Sequence, residues 1–247
     1  MTHRPAAVTY DVCSVQITAT DARGAAARIV ADALAGRSCQ VHLCNAYTMS
    51  LVDTDEQMRA ALLDSDLNLA DGTPVAWLGR HRGMQGPVRG AELVGEVVRQ
   101  GNGHVHHYLY GGKEGVAEEM AKVLADKVPG ISVVGTETPP FTPITETDID
   151  GLVARVRDSG ACVLWVGLGT PRQDYLVHRL APLLSIPVVP IGAAFDFWSG
   201  SVKEAPKALH GSGFEWLHRL ASEPRRLWRR YLLGNPRFLL SAWRHSR

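Results

Sequence analysis

The hydrophobic pattern of the chain is an alternation of short apolar runs and longer amphipathic stretches. Runs typical of strands lie at 40–44, 105–110, 161–166 and 186–191, and 8–18 is typical of a first strand or hairpin. Stretches with helical periodicity separate these runs, among them 53–63, for which Asp53 or Thr54 is the expected N-cap. Strand–helix alternation predicts an α/β fold, Rossmann-like, with a mostly parallel sheet covered by helices on both faces.

The pattern changes after residue 200, where no further strand is readable and helical signals take over. We therefore predict a core over 1–200 and a basic α-helical C-terminal appendage over 201–247. A helix beginning at Pro224 would place its apolar residues and its arginines on opposite faces. The two sets are Leu227, Trp228, Tyr231 and Leu232 against Arg225, Arg226, Arg229 and Arg230.

The net charge of +1 conceals an uneven distribution. Residues 203–247 carry ten Lys and Arg against three acids, a net +7, whereas the remainder carries 16 basic and 22 acidic residues, a net −6. A basic amphipathic helix with tryptophan on its apolar face is typical of a protein that contacts an anionic membrane surface. The alternative is that the apolar face docks on the core and leaves the arginines in solvent.

Composition excludes several other classes. At 247 residues and 45% apolar content the chain has the composition of a soluble globular protein, without an apolar run of eighteen residues or an early signal pattern. The four cysteines form no Cys-x-x-Cys pair, which favours a reduced cytoplasmic protein without a zinc site. We interpret His104, His106 and His107 as surface histidines rather than metal ligands.

The first candidate for chemistry is Asp71, in the stretch Asp71-Gly72-Thr73-Pro74 between a short strand and a helix. Thr73 is a plausible N-cap, with Pro74 at the first helical position. The carboxylate would lie at the edge where open α/β sheets bind ligands. Asp-Gly is also ordinary turn chemistry, so the stretch alone leaves a structural role open.

Further candidates follow other predicted strands. The turn Gly167-Leu168-Gly169-Thr170-Pro171 opens a helix and offers backbone N–H groups to a phosphate, although it is neither a dinucleotide fingerprint nor a Walker motif. Gln173 fits either that site or a capping box with Thr170. Arg89 lies in a loop from which it can reach an oxyanion. The remaining candidates at this edge are Gly111, Gly112 and Asp196.

These motifs, in this order, resemble the WecG/TagA/CpsF family of bacterial glycosyltransferases. The resemblance covers about 45–238 and is carried by Asp71-Gly72, Arg89-Gly90, Tyr110-Gly111-Gly112, the stretch from Gly167 to Asp174, the stretch from Gly192 to Phe197, the stretch from Phe214 to Leu220, Glu223-Pro224-Arg225-Arg226 and Arg229-Arg230-Tyr231. Two positions depart from the family pattern. Leu43 precedes Cys44-Asn45 where the family often has threonine, and Glu204-Ala205-Pro206 stands where it usually has Arg-Ala-Pro.

The resemblance implies inverting, metal-independent transfer of a sugar from a UDP-sugar donor to a membrane-linked acceptor, without a cofactor. It implies a catalytic role for Asp71 as base, with Arg89 and Gln173, and membrane targeting by the appendage. The substrate-binding candidates are Asn45, Gly72, Gly111, Gly112, Gly167, Gly169, Pro171 and Asp196. The tail arginines expected to contribute are Arg219, Arg225, Arg226, Arg229 and Arg230.

The expected partners are the UDP-sugar, a lipid-linked saccharide acceptor and the anionic inner face of the cell membrane, with a homo-oligomer left open. The competing class is a non-enzymatic protein whose basic tail grips nucleic acid, with tryptophans stacked on bases. The acidic core and the lack of a nucleic-acid motif disfavour it, so we expect no nucleic-acid partner. A nicotinamide oxidoreductase would need the glycine fingerprint that this chain lacks.

Overall fold

The computed structural model describes residues 7–139, 142–202, 206, 215–232 and 234–245, without the side chains of 215, 218, 219, 226 and 229. Glu204 and Ala205, part of the second departure from the family pattern, lie outside the described residues. So do 140 and 141, within the proline-rich loop that precedes the seventh helix.

The described residues form one sheet of eight strands in the order β1-β2-β4-β3-β8-β7-β5-β6. Its strands are β1 Thr9–Val12, β2 Val15–Thr18, β3 Cys39–Cys44, β4 Leu67–Ala70, β5 His106–Gly111, β6 Ser132–Glu137, β7 Val163–Gly167 and β8 Pro187–Pro190. The β1–β2 hairpin is antiparallel and every other pairing is parallel. The predicted α/β fold with a mostly parallel sheet is confirmed.

Helices cover both faces of the sheet. The core helices are α1 Ala22–Leu34, α2 Ala46–Leu51, α3 Glu56–Leu63, α4 Thr73–Leu78, α5 Gly90–Gln100, α6 Val116–Lys127, α7 Glu146–Asp158, α8 Arg172–Leu180 and α9 Ala194–Trp198. The chain ends in α10 Glu215–Ser222, α11 Pro224–Leu232 and α12 Gly234–His245. Nowhere in the described ranges is a helix both long and apolar enough to span a bilayer.

Two predicted helix starts were wrong. Gly72, and not Thr73, precedes α4, and no side chain caps that helix, whose second residue is Pro74. Asp55 rather than Asp53 or Thr54 caps α3, with its carboxylate accepting from Met58 N–H at 3.0 Å. Nearby acids compete for the same helix end, and hydrophobic periodicity alone does not choose among them.

The apolar core continues from the sheet into the C-terminal helices. Trp165 and Leu109 lie fully buried between the sheet and the helices of one face. A second apolar cluster joins Tyr10 of the hairpin, Met49 of α2, Val75 of α4 and Phe238 of α12. Phe238 is 2% exposed, so the last helix is part of the packed structure, and it lies beside α2.

The prediction that all three histidines of 104–107 are surface residues was wrong for His107. Its side chain is buried, and its Nδ1 accepts a hydrogen bond from Trp165 Nε1 at 3.1 Å. Burial lowers the pKa of His107 to about 4, with a smaller contribution from His106. The ring is therefore neutral near pH 7, and its role is to satisfy a buried indole N–H.

This burial predicts an acid-sensitive stability. The unfolded chain protonates His107 near its ordinary pKa of about 6.5 whereas the folded chain resists protonation, so the free energy of unfolding falls as pH drops from about 6.5 toward 4. The loss should reach roughly 3 kcal/mol. Denaturant unfolding at a series of pH values should show that His107→Gln flattens this dependence. Parallel pH curves for the two proteins would contradict the assignment.

Candidate active site

A cleft of about 220 Å³ opens at the carboxyl ends of four neighbouring strands, β4, β3, β8 and β7. The residues that follow each of these strands contribute to its wall, because parallel strands end at the same edge of a sheet. The lining residues include Asn45, Tyr47, Asp71, Gly72, Thr73, Pro74, Arg89, Gly169, Gln173, Gly192, Phe197, Trp216, Arg230, Tyr231 and Asn235.

Asp71 and Asn45 are brought together by the pairing of β3 with β4. Cys44 stands opposite Ala70 in the parallel register, and Asp71 N–H donates to Cys44 C=O at 2.9 Å. The next side chains along the two strands then meet, with Asn45 Nδ2 donating to Asp71 Oδ2 at 3.3 Å. The carboxylate predicted as the base is thus held half-buried at the cleft wall.

The orientation of Asn45 is settled by the helix that it caps. Its Oδ1 accepts from the backbone N–H groups of Tyr47 and Thr48, at 3.1 and 3.2 Å, at the start of α2. With the oxygen engaged at the helix end, the NH₂ group faces the carboxylate of Asp71. Asn45 therefore serves as a positioning residue for that carboxylate.

Arg89 lines the same cleft as Asp71, because its loop is tied to the strand that precedes Asp71. Val88 N–H donates to Ala70 C=O at 2.7 Å, and Arg89 immediately precedes α5. Among the lining residues that the structure describes, Asp71 is the one carboxylate and Arg89 and Arg230 are the two arginines. The cleft thus combines one anionic group with a net positive wall.

Gln173 joins the turns that follow β7 and β8. Its Oε1 accepts from Gly169 N–H at 3.0 Å, and a Cβ at Gly192 would stand only 3.2 Å from the same oxygen. The capping box with Thr170 is not formed, since the bond goes to Gly169 and α8 begins at Arg172. Gln173 therefore lines the cleft while fixing one of its glycine turns.

A buried pair of polar side chains, which sequence reasoning missed, holds α8 in place at the residue next to Gln173. His42 of β3 and Asp174 of α8 lie within hydrogen-bond distance, at 2.9 Å, and both side chains are almost fully buried. Gln40 lies 3.0 Å from the other ring nitrogen of His42. This chain of polar groups fixes the first turn of α8 against the strand that carries Asn45.

Five predicted substrate-binding residues are not among the described residues that line the cleft: Gly111, Gly112, Gly167, Pro171 and Asp196. Gly112 N–H donates to Gly167 C=O at 3.0 Å, so these turns contact each other. Pro171 follows a cis peptide bond at the start of α8, and Asp196 precedes the lining residue Phe197. Roles for the five in substrate binding stay predictions.

The C-terminal helices complete the cleft. Trp216, Arg230, Tyr231 and Asn235 line it, and the guanidinium carbon of Arg230 lies 5.0 Å from the ring centroid of Tyr47. Arg230 is thus not a merely solvated residue, as the docking alternative supposed. Arg225 is exposed, and the side chains of the remaining tail arginines, Arg219, Arg226 and Arg229, lie outside the described part.

The apolar residues of α11 are divided between core and surface. Leu227 is 2% exposed, whereas Trp228 and Leu232 are 43% and 57% exposed. Docking on the core therefore accounts for the burial of Leu227, but it leaves Trp228 and Leu232 as an exposed apolar strip on α11.

Tyr47, Phe197 and Asn235 belong to the cleft although sequence reasoning did not select them. Tyr47 lies in α2, a helix that was not predicted. The pattern Asn45-x-x-Thr48 was a usable signal, because asparagine is among the preferred N-cap residues.

Fold and site together define an α/β protein with a cleft at the carboxyl edge of a parallel sheet, lined by a carboxylate and two arginines. Comparison with protein families is consistent with this class. Residues 10–247 match the glycosyl transferase WecG/TagA/CpsF family, nearly the whole chain, so the protein belongs to that family. Membership makes it a glycosyltransferase, supports a role in cell-surface polysaccharide synthesis, and disfavours the nucleic-acid-binding and oxidoreductase alternatives.

The close contacts of Gly167 predict a large cost for a small substitution. A Cβ at this position would lie 2.3 Å from the Phe195 ring, in a fully packed region. Gly167→Ala should therefore lower the free energy of unfolding by about 1–3 kcal/mol. Gly86→Ala is the matched control, since a Cβ there meets nothing within 4 Å. Equal unfolding midpoints for the two variants would contradict this packing.

Proposed function

We propose that the protein transfers a sugar from a UDP-sugar to a polyprenyl-diphosphate-linked acceptor, with inversion and without a metal. The supporting observation is one cleft that is lined by Asp71, oriented by Asn45, and by Arg89 and Arg230. The donor sugar is of the N-acetylmannosamine, N-acetylmannosaminuronic acid or glucose type. A thermal-shift screen with a panel of UDP-sugars, followed by UDP release from the best, would identify it.

In this proposal Asp71 is the general base. It removes the proton from an acceptor hydroxyl as that oxygen attacks the anomeric carbon, and the bond from that carbon to the UDP oxygen breaks. A single attack from the face opposite the leaving group inverts the anomeric centre. A positioned base of this kind contributes about 10²–10⁴ in rate, and the Asn45 hydrogen bond keeps the carboxylate in place.

The leaving UDP gains negative charge, which the two arginines are suited to stabilise. Arg89 immediately precedes α5, whereas Arg230 lies in α11, so two distant parts of the chain each contribute an arginine to the cleft. The N–H groups of Gly169 and Gly192 already donate to Gln173 and Val166, so it is the other backbone dipoles of these two turns that would add to this stabilisation. The rings of Tyr47, Phe197, Trp216 and Tyr231 offer stacking surfaces for the base or the sugar.

Access to a lipid-borne acceptor requires contact with the membrane, and the C-terminal helices are suited to it. Leu239 and Leu240 of α12 are 65% and 47% exposed although Phe238 beside them is buried. Residues 203–247, which include these helices, carry a net charge of +7. We therefore place the working enzyme on the inner face of the cell membrane as a peripheral protein, attracted by anionic lipid and anchored by exposed apolar side chains.

Asp71→Asn should reduce turnover at least about a hundredfold, because the amide cannot accept the proton. Binding of UDP should change little, since the substitution preserves shape. The measurement is UDP release at saturating donor, with UDP affinity measured by calorimetry. Asp126→Asn, an exposed carboxylate on α6, is the charge-matched control. Turnover within a few-fold of the unmodified enzyme would remove Asp71 from the chemistry.

Leu239→Ser/Leu240→Ser should weaken binding to anionic vesicles about tenfold, because two exposed apolar side chains lose their contact with the interface. Deleting 211–247 should also release the protein, but it would expose the core around Phe238 as well. Vesicle sedimentation is the measurement, and Leu34→Ser, at an exposed leucine on α1, is the control. Unchanged sedimentation of the double variant would count against membrane contact through α12.

A further inference from the structure

The short helix after Asp71 carries a second apolar and basic surface, outside the C-terminal helices. Trp77 and Leu78 of α4 are 52% and 42% exposed. Exposed Arg80, His81 and Arg82 follow them in a 3-10 turn. We call residues 77–82 the α4 surface.

The outward placement of Trp77 follows from firm anchoring of the opposite side of α4. Val75 and Ala76 are buried, and the Tyr10 hydroxyl donates to Val75 C=O at 3.2 Å. Gly79 packs so closely that a Cβ would lie 2.4 Å from the Tyr10 ring. The helix is therefore held from inside, and its exposed aromatic residue is a fixed feature of the surface.

The charged side chains in the sequence around the α4 surface are basic. Residues 72–90 contain three arginines and one histidine but no Asp or Glu. The guanidinium carbon of Arg80 lies 5.3 Å from the ring centroid of Trp77, which places a cation directly beside the aromatic group. The carboxylate of Asp11, on the adjacent hairpin, accepts a hydrogen bond from Gln16.

The α4 surface lies one helical turn from the cleft. Thr73 and Pro74 line the cleft, and Pro74 and Trp77 are three residues apart, on one face of the helix. Asn235, near the start of α12, lines another part of the same cleft. The apolar cluster that contains Val75 also contains Phe238, so α4 and α12 share a core beneath their exposed residues.

We propose that the α4 surface is a second contact with anionic lipid, made by the core itself. Trp77 and Leu78 enter the interfacial region of the bilayer, where aromatic rings are favoured, while Arg80 and Arg82 meet lipid phosphates. Contact on both α4 and α12 fixes the tilt of the enzyme, so that the Asp71 carboxylate faces an acceptor held at the bilayer surface. This inference rests on the proposed membrane-bound transfer and adds an orienting element to it.

The test is sedimentation of the full chain with vesicles of phosphatidylcholine alone and with added phosphatidylglycerol. Trp77→Ser/Leu78→Ser should lower binding to the anionic vesicles at least about fivefold. Arg80→Gln/Arg82→Gln should lower it at low salt by about fivefold per arginine, and should leave binding to phosphatidylcholine unchanged. Thermal unfolding should stay close to that of the unmodified protein, because the substituted side chains are exposed.

Matched controls separate a local effect from a general loss of charge or apolar surface. Leu63→Ser/Leu183→Ser removes two leucines of comparable exposure, and Arg23→Gln/Arg59→Gln removes two exposed arginines elsewhere on the core. Both controls should bind vesicles like the unmodified protein. If the α4 variants bind as the controls do, the proposal is overturned. It is equally overturned if Trp77→Ser/Leu78→Ser changes only self-association, measured by sedimentation velocity. The α4 surface would then bind a second copy of this chain rather than lipid.

Turnover distinguishes this inference from the proposed reaction. With a water-soluble acceptor analogue, Trp77→Ser/Leu78→Ser should release UDP at the unmodified rate, while transfer to acceptor embedded in vesicles falls. Vesicle binding needs no sugar donor, so a failure of UDP-sugar transfer would leave the binding result intact. Loss of binding in the α4 variants with normal soluble turnover supports the orienting role.

Discussion

The parallel pairing of β3 with β4 is the constraint on which the site depends. It sets Cys44 opposite Ala70, so that Asn45 and Asp71 leave the sheet side by side. A shift of either strand by one residue would turn its side chains to the other face of the sheet and separate Asn45 from Asp71. Because Asn45 also caps α2 and Val88 is tied to Ala70, the same pairing positions Tyr47 and Arg89.

The cleft is built from two parts of the chain that differ in charge. The core, with a net −6 outside 203–247, supplies the carboxylate, and the C-terminal helices supply Arg230. Arg230 stacks on Tyr47, which lies in the first turn of α2, the helix that Asn45 caps. In the proposed function, binding of an anionic donor and attachment to an anionic surface would draw on the same group of helices, which would link substrate capture to membrane location.

Much of this arrangement was predictable because it follows from local rules. Strand–helix alternation gave the parallel sheet, and carboxyl ends of neighbouring strands brought Asp71, Gln173 and the Gly192 turn to one edge. The tail arginines were selected from charge, and Arg230 lies in the cleft. Family resemblance, rather than spacing, supplied the roles of these residues.

What was missed depends on contacts between residues distant in sequence. The pair of His42 and Asp174 joins positions 132 residues apart, and no local pattern connects them. His107 has the sequence context of a surface histidine, yet pairing of β5 with β7 buries it against Trp165. Helix starts at Thr73 and Asp53 were misplaced because several capping residues stand close together, and tertiary packing selects among them.

A double-mutant cycle between Asn45 and Asp71, read as the turnover number for UDP release, tests the central claim most directly. If Asn45 acts by orienting the carboxylate, Asn45→Ser should slow the enzyme that retains Asp71 and should cause little further loss in the Asp71→Asn background. Serine keeps a capping oxygen for α2, so helix stability is preserved. Equal, additive losses in both backgrounds would show that the two side chains act independently and would contradict the account.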